Sequence, residues 1–496
     1  KIGTAPWLAP VSAPAMLMQD PLKLGAHEDD DQVDFYMERN VPWMLSRLGP
    51  AAVTADVNGD GLEDLYVSGT LKKPGQLYIQ RNGQFIPDAG LSIQLKGFED
   101  ISAVFFDADG DGDQDLMLGA GGNNRPSFSK EMQNRLFLND GKGRFNPSSA
   151  PLPKNMGNTS VLLARDIDGD GDLDVFAGSR SMPINYGALP QQMVYVNQGK
   201  GEFTAMTKEQ LGPLFNAGMI SSAAFLSTGE LIVAGEWMEV SRYKFEGGRW
   251  KVEEAITKGM GWWQTVTAAD LDGDGDEDLI LGNLGSNFYL KPDSGHPVKL
   301  WVNDFSNNVI PEKILTRTLQ QKDMPVFLKR EVTDQIPILK KQNLKHQDYA
   351  IKSMQELFPE NLIKASDVRV ANDAHSYIAW NEGQGKFTIS ALPTIVQLSS
   401  LNAVLAKDVN GDGKVDLVLG GNLTSFQPQF SRIDASYGQV LINKGNRQWE
   451  ALGMQQSGLD VPRETRVIRQ VKLGNQELII FFLNHGQPIT YQLRGK

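Results

Sequence analysis

The chain contains no cysteine, which excludes disulfide scaffolds, thiolate zinc sites and cysteine nucleophiles together. It also lacks any apolar run near the 18 residues that a membrane-spanning helix needs. Histidine is scarce: His27, His296, His346, His375 and His485 are the whole supply, and none sits in a repeated or paired motif. No Ser/His/Asp constellation can be assembled from them. Basic surplus is missing as well. With 48 Lys and Arg against 60 Asp and Glu, the formal charge is −12, which argues against a general nucleic-acid binder because phosphate contacts need clustered cations. GAGGNN from Gly119 lacks the spacing and the Lys-Ser/Thr of a phosphate loop. The chain opens at Lys1 without a signal-peptide pattern and reads as a processed product or a fragment.

What the sequence does have is oxygen at regular spacing. DVNGDGLED at Asp56 recurs as DADGDGDQD at Asp107, DIDGDGDLD at Asp166, DLDGDGDED at Asp270 and DVNGDGKVD at Asp408. Positions 1, 3, 5 and 9 of these loops hold eighteen of the 60 acidic residues. Carboxylate or amide oxygens at those positions converge around a glycine at position 6, where like charges repel unless a cation joins them. A hard divalent ion resolves the conflict, and calcium suits the ligand number and loose geometry better than magnesium. Position 7 supplies its backbone carbonyl, so Leu62, Asp113, Asp172, Asp276 and Lys414 can all stand there.

An EF-hand would end in a bidentate Glu at position 12 and run between helices. Here position 12 is Val67, Leu118, Ala177, Leu281 or Leu419. The flanks also read as buried strands, AAVTA before and DLYVSG after the first loop, for example. The loops are therefore strand-to-strand connections.

A second hairpin follows each pair, as in NRLFLNDGKGRFNP: a strand ends in Asn or a similar polar residue, glycine turns the chain, and an aromatic residue opens the next strand. Four strands repeating at 40 to 60 residues indicate an all-β, multi-bladed β-propeller. First loop residues are separated by 51, 59, 104 and 138 positions. The interval of 104 hides a degenerate repeat, with Ser227 where the first Asp would stand, and a similar metal-free unit, TRVIRQVKLGNQELIIFFLNHGQPITYQL, ends the chain. That gives seven blades of four strands, five with metal loops.

The last unit lacks a fourth strand, and the N-terminal extension, 1–47, is expected to supply it around VDFYMERN, closing a propeller that occupies 48–496. The interval of 138 contains a partly helical insertion, 304–375, whose expected buried face is Tyr349, Ile351, Met354, Leu357 and Phe358. DFSNNVIPE at Asp304 imitates a metal loop through Asp304, Ser306, Asn308 and Glu312, with Val309 in place of the glycine. It is a candidate sixth calcium site, and a candidate start of an eighth blade.

On these loops the chain resembles the FG-GAP/VCBS repeat proteins, whose best-known relative is the propeller of integrin α subunits. The resemblance implies five calcium sites. Their ligands would be Asp56, Asn58, Asp60, Leu62 and Asp64 in the first, and Asp107, Asp109, Asp111, Asp113 and Asp115 in the second. The third would use Asp166, Asp168, Asp170, Asp172 and Asp174, and the fourth Asp270, Asp272, Asp274, Asp276 and Asp278. Asp408, Asn410, Asp412, Lys414 and Asp416 would form the last. More narrowly, VPWMLSRLGPAAVTADVNGDGLEDL and GWWQTVTAADLDGDGDEDLILGNLGSN resemble the C-terminal part of large bacterial surface proteins that also carry an ASPIC/UnbV module, which is not visible here.

The function expected from this resemblance is non-catalytic: a calcium-stabilised interaction or scaffold module on a bacterial cell surface or outer membrane, with protein partners. Two alternatives come from other classes. A propeller-type polysaccharide lyase would need a proton-abstracting base near a metal, and a lectin could stack sugars on Trp237, Trp262, Trp263 or Trp380. The sequons at Asn158 and Asn422 fit a glycosylation pattern.

Overall fold

In a computed structural model that describes residues 15–494, seven antiparallel sheets, each of four strands except that the fourth adds the short strand Gly261–Trp262, form a closed ring, and an eighth stands outside it. The blades open on the strands Ala52–Ala55, Asp100–Phe106, Asn158–Arg165, Met219–Phe225, Thr265–Ala269, Leu401–Lys407 and Thr465–Leu473. These inner strands pack side by side in chain order, and the seventh lies against the first. Seven apolar clusters fill the joints between neighbouring blades. Leu116, Leu118 and Phe137 of the second blade, for example, pack on Tyr66, Leu77 and Ile79 of the first. Each second strand is buried along both faces, as in DLMLGA, Asp115–Ala120. Its unbroken apolar run follows from that two-sided burial, and a fully buried Leu or Met contributes about 1.5–3 kcal/mol.

The ring closes through Leu17–Asp20, which pairs antiparallel with Ile489–Leu493 as the outer strand of the seventh blade. The closing strand therefore lies upstream of VDFYMERN. That segment contains only a 3-10 turn, Asp34–Tyr36, because its acids serve other contacts. Asp34 accepts the backbone N–H groups of Leu45 and Ser46, and Glu38 forms a buried ion pair with Lys313. From there the chain crosses one end of the ring. Trp43 donates to Glu236 of the fourth blade and packs edge-on against Tyr186, Trp262 and Phe426, and the carbonyl of Arg47 accepts from Arg466 of the seventh.

The eighth sheet is not a blade. Its strands Val298–Asn303, Glu312–Leu319, Lys322–Pro325 and Asp367–Ala371 lie between the second and third strands of the fifth blade, Asp278–Gly282 and Tyr377–Asn381. The insertion is thus wider than 304–375, and it packs on Trp43, Tyr186 and Trp237 in one apolar cap. Its helical part is five short helices between Lys329 and Ala365. Pro337 and Pro359 interrupt the run, since proline lacks the N–H that a continuous helix needs. Tyr349, Met354, Leu357 and Phe358 are buried there, but Ile351 points to solvent.

Candidate metal loops and their links between blades

All five loops share one scaffold of hydrogen bonds. The first Asp accepts from two glycine amides: in the first blade Asp56 Oδ1 takes Gly59 N at 2.8 Å and Oδ2 takes Gly61 N at 2.8 Å. The same pair of contacts recurs at Asp107, Asp166, Asp270 and Asp408. Both glycines have positive φ, +72° and +80° in the first loop, so positions 4 and 6 each require a residue without Cβ. Position 4 is thus a second obligatory glycine beside the one expected at position 6. The position-5 Asp accepts from the amide of position 7 in every loop.

Position 9 is the buried pivot. One oxygen of Asp115 accepts Ala108 N at 2.8 Å and the other accepts Asn139 N at 2.7 Å, tying the loop to the third strand of its own blade. Asp64, Asp174, Asp278 and Asp416 repeat this double contact. Burial lifts the carboxyls of Asp64, Asp115, Asp174 and Asp278 to about 6, and that of Asp416 in the same direction. Charging them inside the protein is costly, and a cation beside them offsets that cost. At the rim of the last loop the opposite holds: the amide of Gly413 holds Asp408 below its ordinary range, and that of Lys414 does so for Asp412.

Carboxylate oxygens from positions 1, 3 and 9 lie within 4.8 Å of one another in three loops: Asp107, Asp109 and Asp115; Asp166, Asp168 and Asp174; Asp270, Asp272 and Asp278. That grouping can hold a divalent ion through oxygen alone. The first and last loops place an amide at position 3, Asn58 and Asn410, and so bring one carboxylate fewer. At Asp304 much of the scaffold reappears. Asp304 accepts Asn308 N and Val309 N, and Glu312 accepts Phe305 N from the position-9 place. Val309 takes φ +70°, a conformation rare for a β-branched residue.

Sequence reasoning missed the part played by the polar residue that ends each third strand. Asn139 Nδ2 donates 2.7 Å to the carbonyl of Val57, position 2 of the preceding blade's loop. Asn197 reaches Ala108 at 2.9 Å and Asn443 reaches Leu271 at 2.7 Å in the same way. Each metal loop followed by a metal-loop blade is thus linked to it. The signal was present in the Asn-plus-glycine hairpin pattern, but only the register of two blades reveals the acceptor.

The residues weighed for other functions lie apart from these loops. Trp237, Trp262, Trp263 and Trp380 are all buried, so none offers a sugar a stacking face. Asn158 and Asn422, the two sequon asparagines, are also buried and closed to a glycan. Of the histidines, His27 is buried and the other four are exposed.

Comparison with known proteins agrees with the loops. The FG-GAP-like repeat model matches residues 56–118, 120–177 and 364–419, and the FG-GAP repeat model matches 262–298, so every metal loop falls in a match. Neither match concerns an ASPIC/UnbV module. No curated protein matches. Among solved structures, YCF48 bound to a D1 peptide aligns over 97% of this chain and 100% of its own, at 10% identity and TM-score 0.45. YCF48 from Cyanidioschyzon merolae aligns over 96% and 98%, at 10% identity and TM-score 0.45. The V. cholerae biofilm matrix protein Bap1 aligns over 96% and 91%, at 11% identity and TM-score 0.34. The chain thus carries FG-GAP repeats, in four matched segments that hold all five loops.

Proposed function

We propose that the protein is a non-catalytic, calcium-stabilised propeller that serves as an interaction or scaffold module of a bacterial cell-surface or outer-membrane assembly. The distribution of exposed apolar side chains carries this reading. Among the described residues, the large apolar side chains most open to solvent include Tyr36, Val309, Ile310, Leu328, Leu344 and Ile351, all on the N-terminal segment or the insertion. Only Ile93 and Phe128 are comparably open elsewhere. Apolar exposure gathered on one accessory unit is a feature of protein-binding surfaces.

Calcium acts here as a structural ion. Five ions would move the formal charge from −12 to about −2, and they would sit where the loops join neighbouring blades. The Asp304 loop is a candidate sixth position. Millimolar extracellular calcium fills even weak oxygen sites, which favours an extracytoplasmic setting.

The test is affinity capture from the native envelope in calcium buffer, using wild-type protein, an EGTA-treated sample and a variant with Val309→Ser, Ile310→Ser, Leu344→Ser and Ile351→Ser. A stoichiometric protein partner that is lost in both altered samples supports the reading. A lone monomer that retains or cleaves a polysaccharide in a subsequent screen overturns it in favour of a lectin or a lyase.

A further inference from the structure

The helical part of the insertion carries charge opposite to that of the whole chain. Between Leu328 and Lys352 stand six Lys and Arg against three acids, in a protein of charge −12. The three acids are already engaged. Glu331 accepts Leu328 N and the side-chain amide of Gln429, Asp334 lies 3.8 Å from Arg39, and Asp348 accepts Lys345 N. Of the cations, Lys329 and Lys352 make internal contacts. Arg330, Lys340, Lys341 and Lys345 are exposed, and among the described residues none of these four meets a carboxylate.

The same segment gathers three exposed apolar side chains. Leu344 is 82% exposed, Ile351 70% and Leu328 65%. Lys329 Nζ donates 2.8 Å to Leu344 O, and Lys352 Nζ donates 2.8 Å to Asn343 Oδ1. Leu328 and Ile351 each adjoin one of those lysines in sequence, so both stand about one lysine side chain away from Leu344. Beneath them Tyr349 donates its hydroxyl to Phe327 O at 3.2 Å and holds the same segments together. Lys345 follows Leu344 directly, and Lys340 and Lys341 precede it by one turn. The insertion is also rooted away from the metal loops. Those loops join first strands to second, whereas the insertion joins the second strand of the fifth blade to its third, and antiparallel strands put the two kinds of connection at opposite ends. Eighteen of the 60 acids therefore lie at the end of the ring opposite the root of this cationic unit.

We infer that this face of the insertion docks the protein on an anionic phospholipid surface. Leu328, Leu344 and Ile351 enter the acyl boundary, while Arg330, Lys340, Lys341 and Lys345 meet the headgroup phosphates. The cores of protein–protein interfaces are depleted in Lys. Leucine beside unpaired lysine instead suits a partner whose charged and apolar layers adjoin. Repulsion of the acidic end would turn the insertion toward the lipid. This rests on the proposed reading of the insertion as a docking unit and adds a lipid contact to its protein contacts.

The test sediments calcium-loaded protein with vesicles of equal parts phosphatidylethanolamine and phosphatidylglycerol, and with phosphatidylcholine vesicles, at one free calcium concentration. Binding to the anionic vesicles is expected to exceed binding to phosphatidylcholine by roughly tenfold or more. Each cation near an anionic surface strengthens binding roughly fivefold, so the combined Lys340→Gln, Lys341→Gln and Lys345→Gln variant is expected to lose at least tenfold. Leu344→Ser with Ile351→Ser is expected to lose about tenfold. All five positions are exposed, so both variants are expected to keep the wild-type Tm. No binding to anionic vesicles, equal binding to both kinds, or unchanged binding in the folded lysine variant overturns the inference. Envelope protein captured by the wild type and lost in the lysine variant, without vesicle binding, overturns the lipid contact and leaves the module reading standing. Vesicle binding with no captured protein supports the lipid contact and removes the protein partner from that reading.

Discussion

The five blades with metal loops and the two without them solve the same problem differently. In the fourth blade, Met219–Phe225 and Leu231–Met238 meet in a tight turn closed by Gly229 N to Leu226 O. In the seventh, Thr465–Leu473 and Gln476–Leu483 turn at Gly474. Their neighbours still grip them. Gln80 of the first blade donates to Lys472 O and accepts Gly474 N, while Glu277 of the fifth accepts Ser227 N. A nine-residue acidic loop is therefore unnecessary for joining blades. On the proposed reading, what it adds is a joint whose strength depends on an ion.

That contrast can be broken from several directions. Removing calcium has the largest expected effect: each site filled at a hundredfold its Kd contributes about 2.7 kcal/mol. Calorimetry in EGTA is therefore expected to show a Tm fall of roughly 10 °C or more. Next comes the pivot. Asp278→Ala strands two amides, the buried Leu271 N and the part-buried Asn381 N, and is expected to cost about 3 kcal/mol in urea unfolding. Ser227→Ala, where the first loop Asp would stand in the metal-free fourth blade, is expected to change stability by less than about 0.5 kcal/mol.

The seam of the metal-free seventh blade has its own weakness, and it is acid rather than chelation. His27 pairs with Gly486 through the backbone, and its ring is buried, which lowers its pKa from 6.5 to about 3. The folded state thus keeps this ring neutral while the unfolded chain protonates it below 6.5. Stability is fully present above pH 6.5 and declines as pH falls toward 3. At pH 5 the wild type is expected to lose about 2 kcal/mol more, relative to pH 7.5, than His27→Gln does in calcium-saturated urea titrations. A smaller loss than these belongs to the link between loops. Asn139→Ala removes the bond to Val57 O and is expected to cost about 1 kcal/mol, with calcium affinity falling chiefly in the first loop.

Repeating chemistry was what made the fold readable. Five loops of one spacing, flanked by β-rich runs, define a strand–loop–strand unit, and the strands that frame Asp64 and Asp115 lie where those runs stand. Features that occur once were harder to read. Leu17–Asp20 carries no repeat signature, and nothing local says that LMQD must pair with a strand more than 450 residues away. VDFYMERN looked more strand-like, yet Asp34 and Glu38 are held by tertiary partners, Ser46 and Lys313, that no local pattern discloses. In the insertion, one amphipathic face was drawn over Tyr349 to Phe358, where two short helices, His346–Ala350 and Met354–Leu357, lie, and Ile351, just past the end of the first, fell on the wrong side of it. At the site, the oxygens were legible because ligand spacing is local. The Asn139-to-Val57 link was not, because it requires the register of two separate sheets.

Hydrogen exchange followed by mass spectrometry, with and without EGTA, tests most directly whether the metal loops are ion-dependent joints between blades. The account predicts that EGTA strips protection from the five loops and from the third-strand ends at Gln80, Asn139, Asn197, Asn381 and Asn443. The hairpins around Gly229 and Gly474 would change far less. Exchange that is unaffected by EGTA, or that rises equally in all seven hairpins, would contradict it.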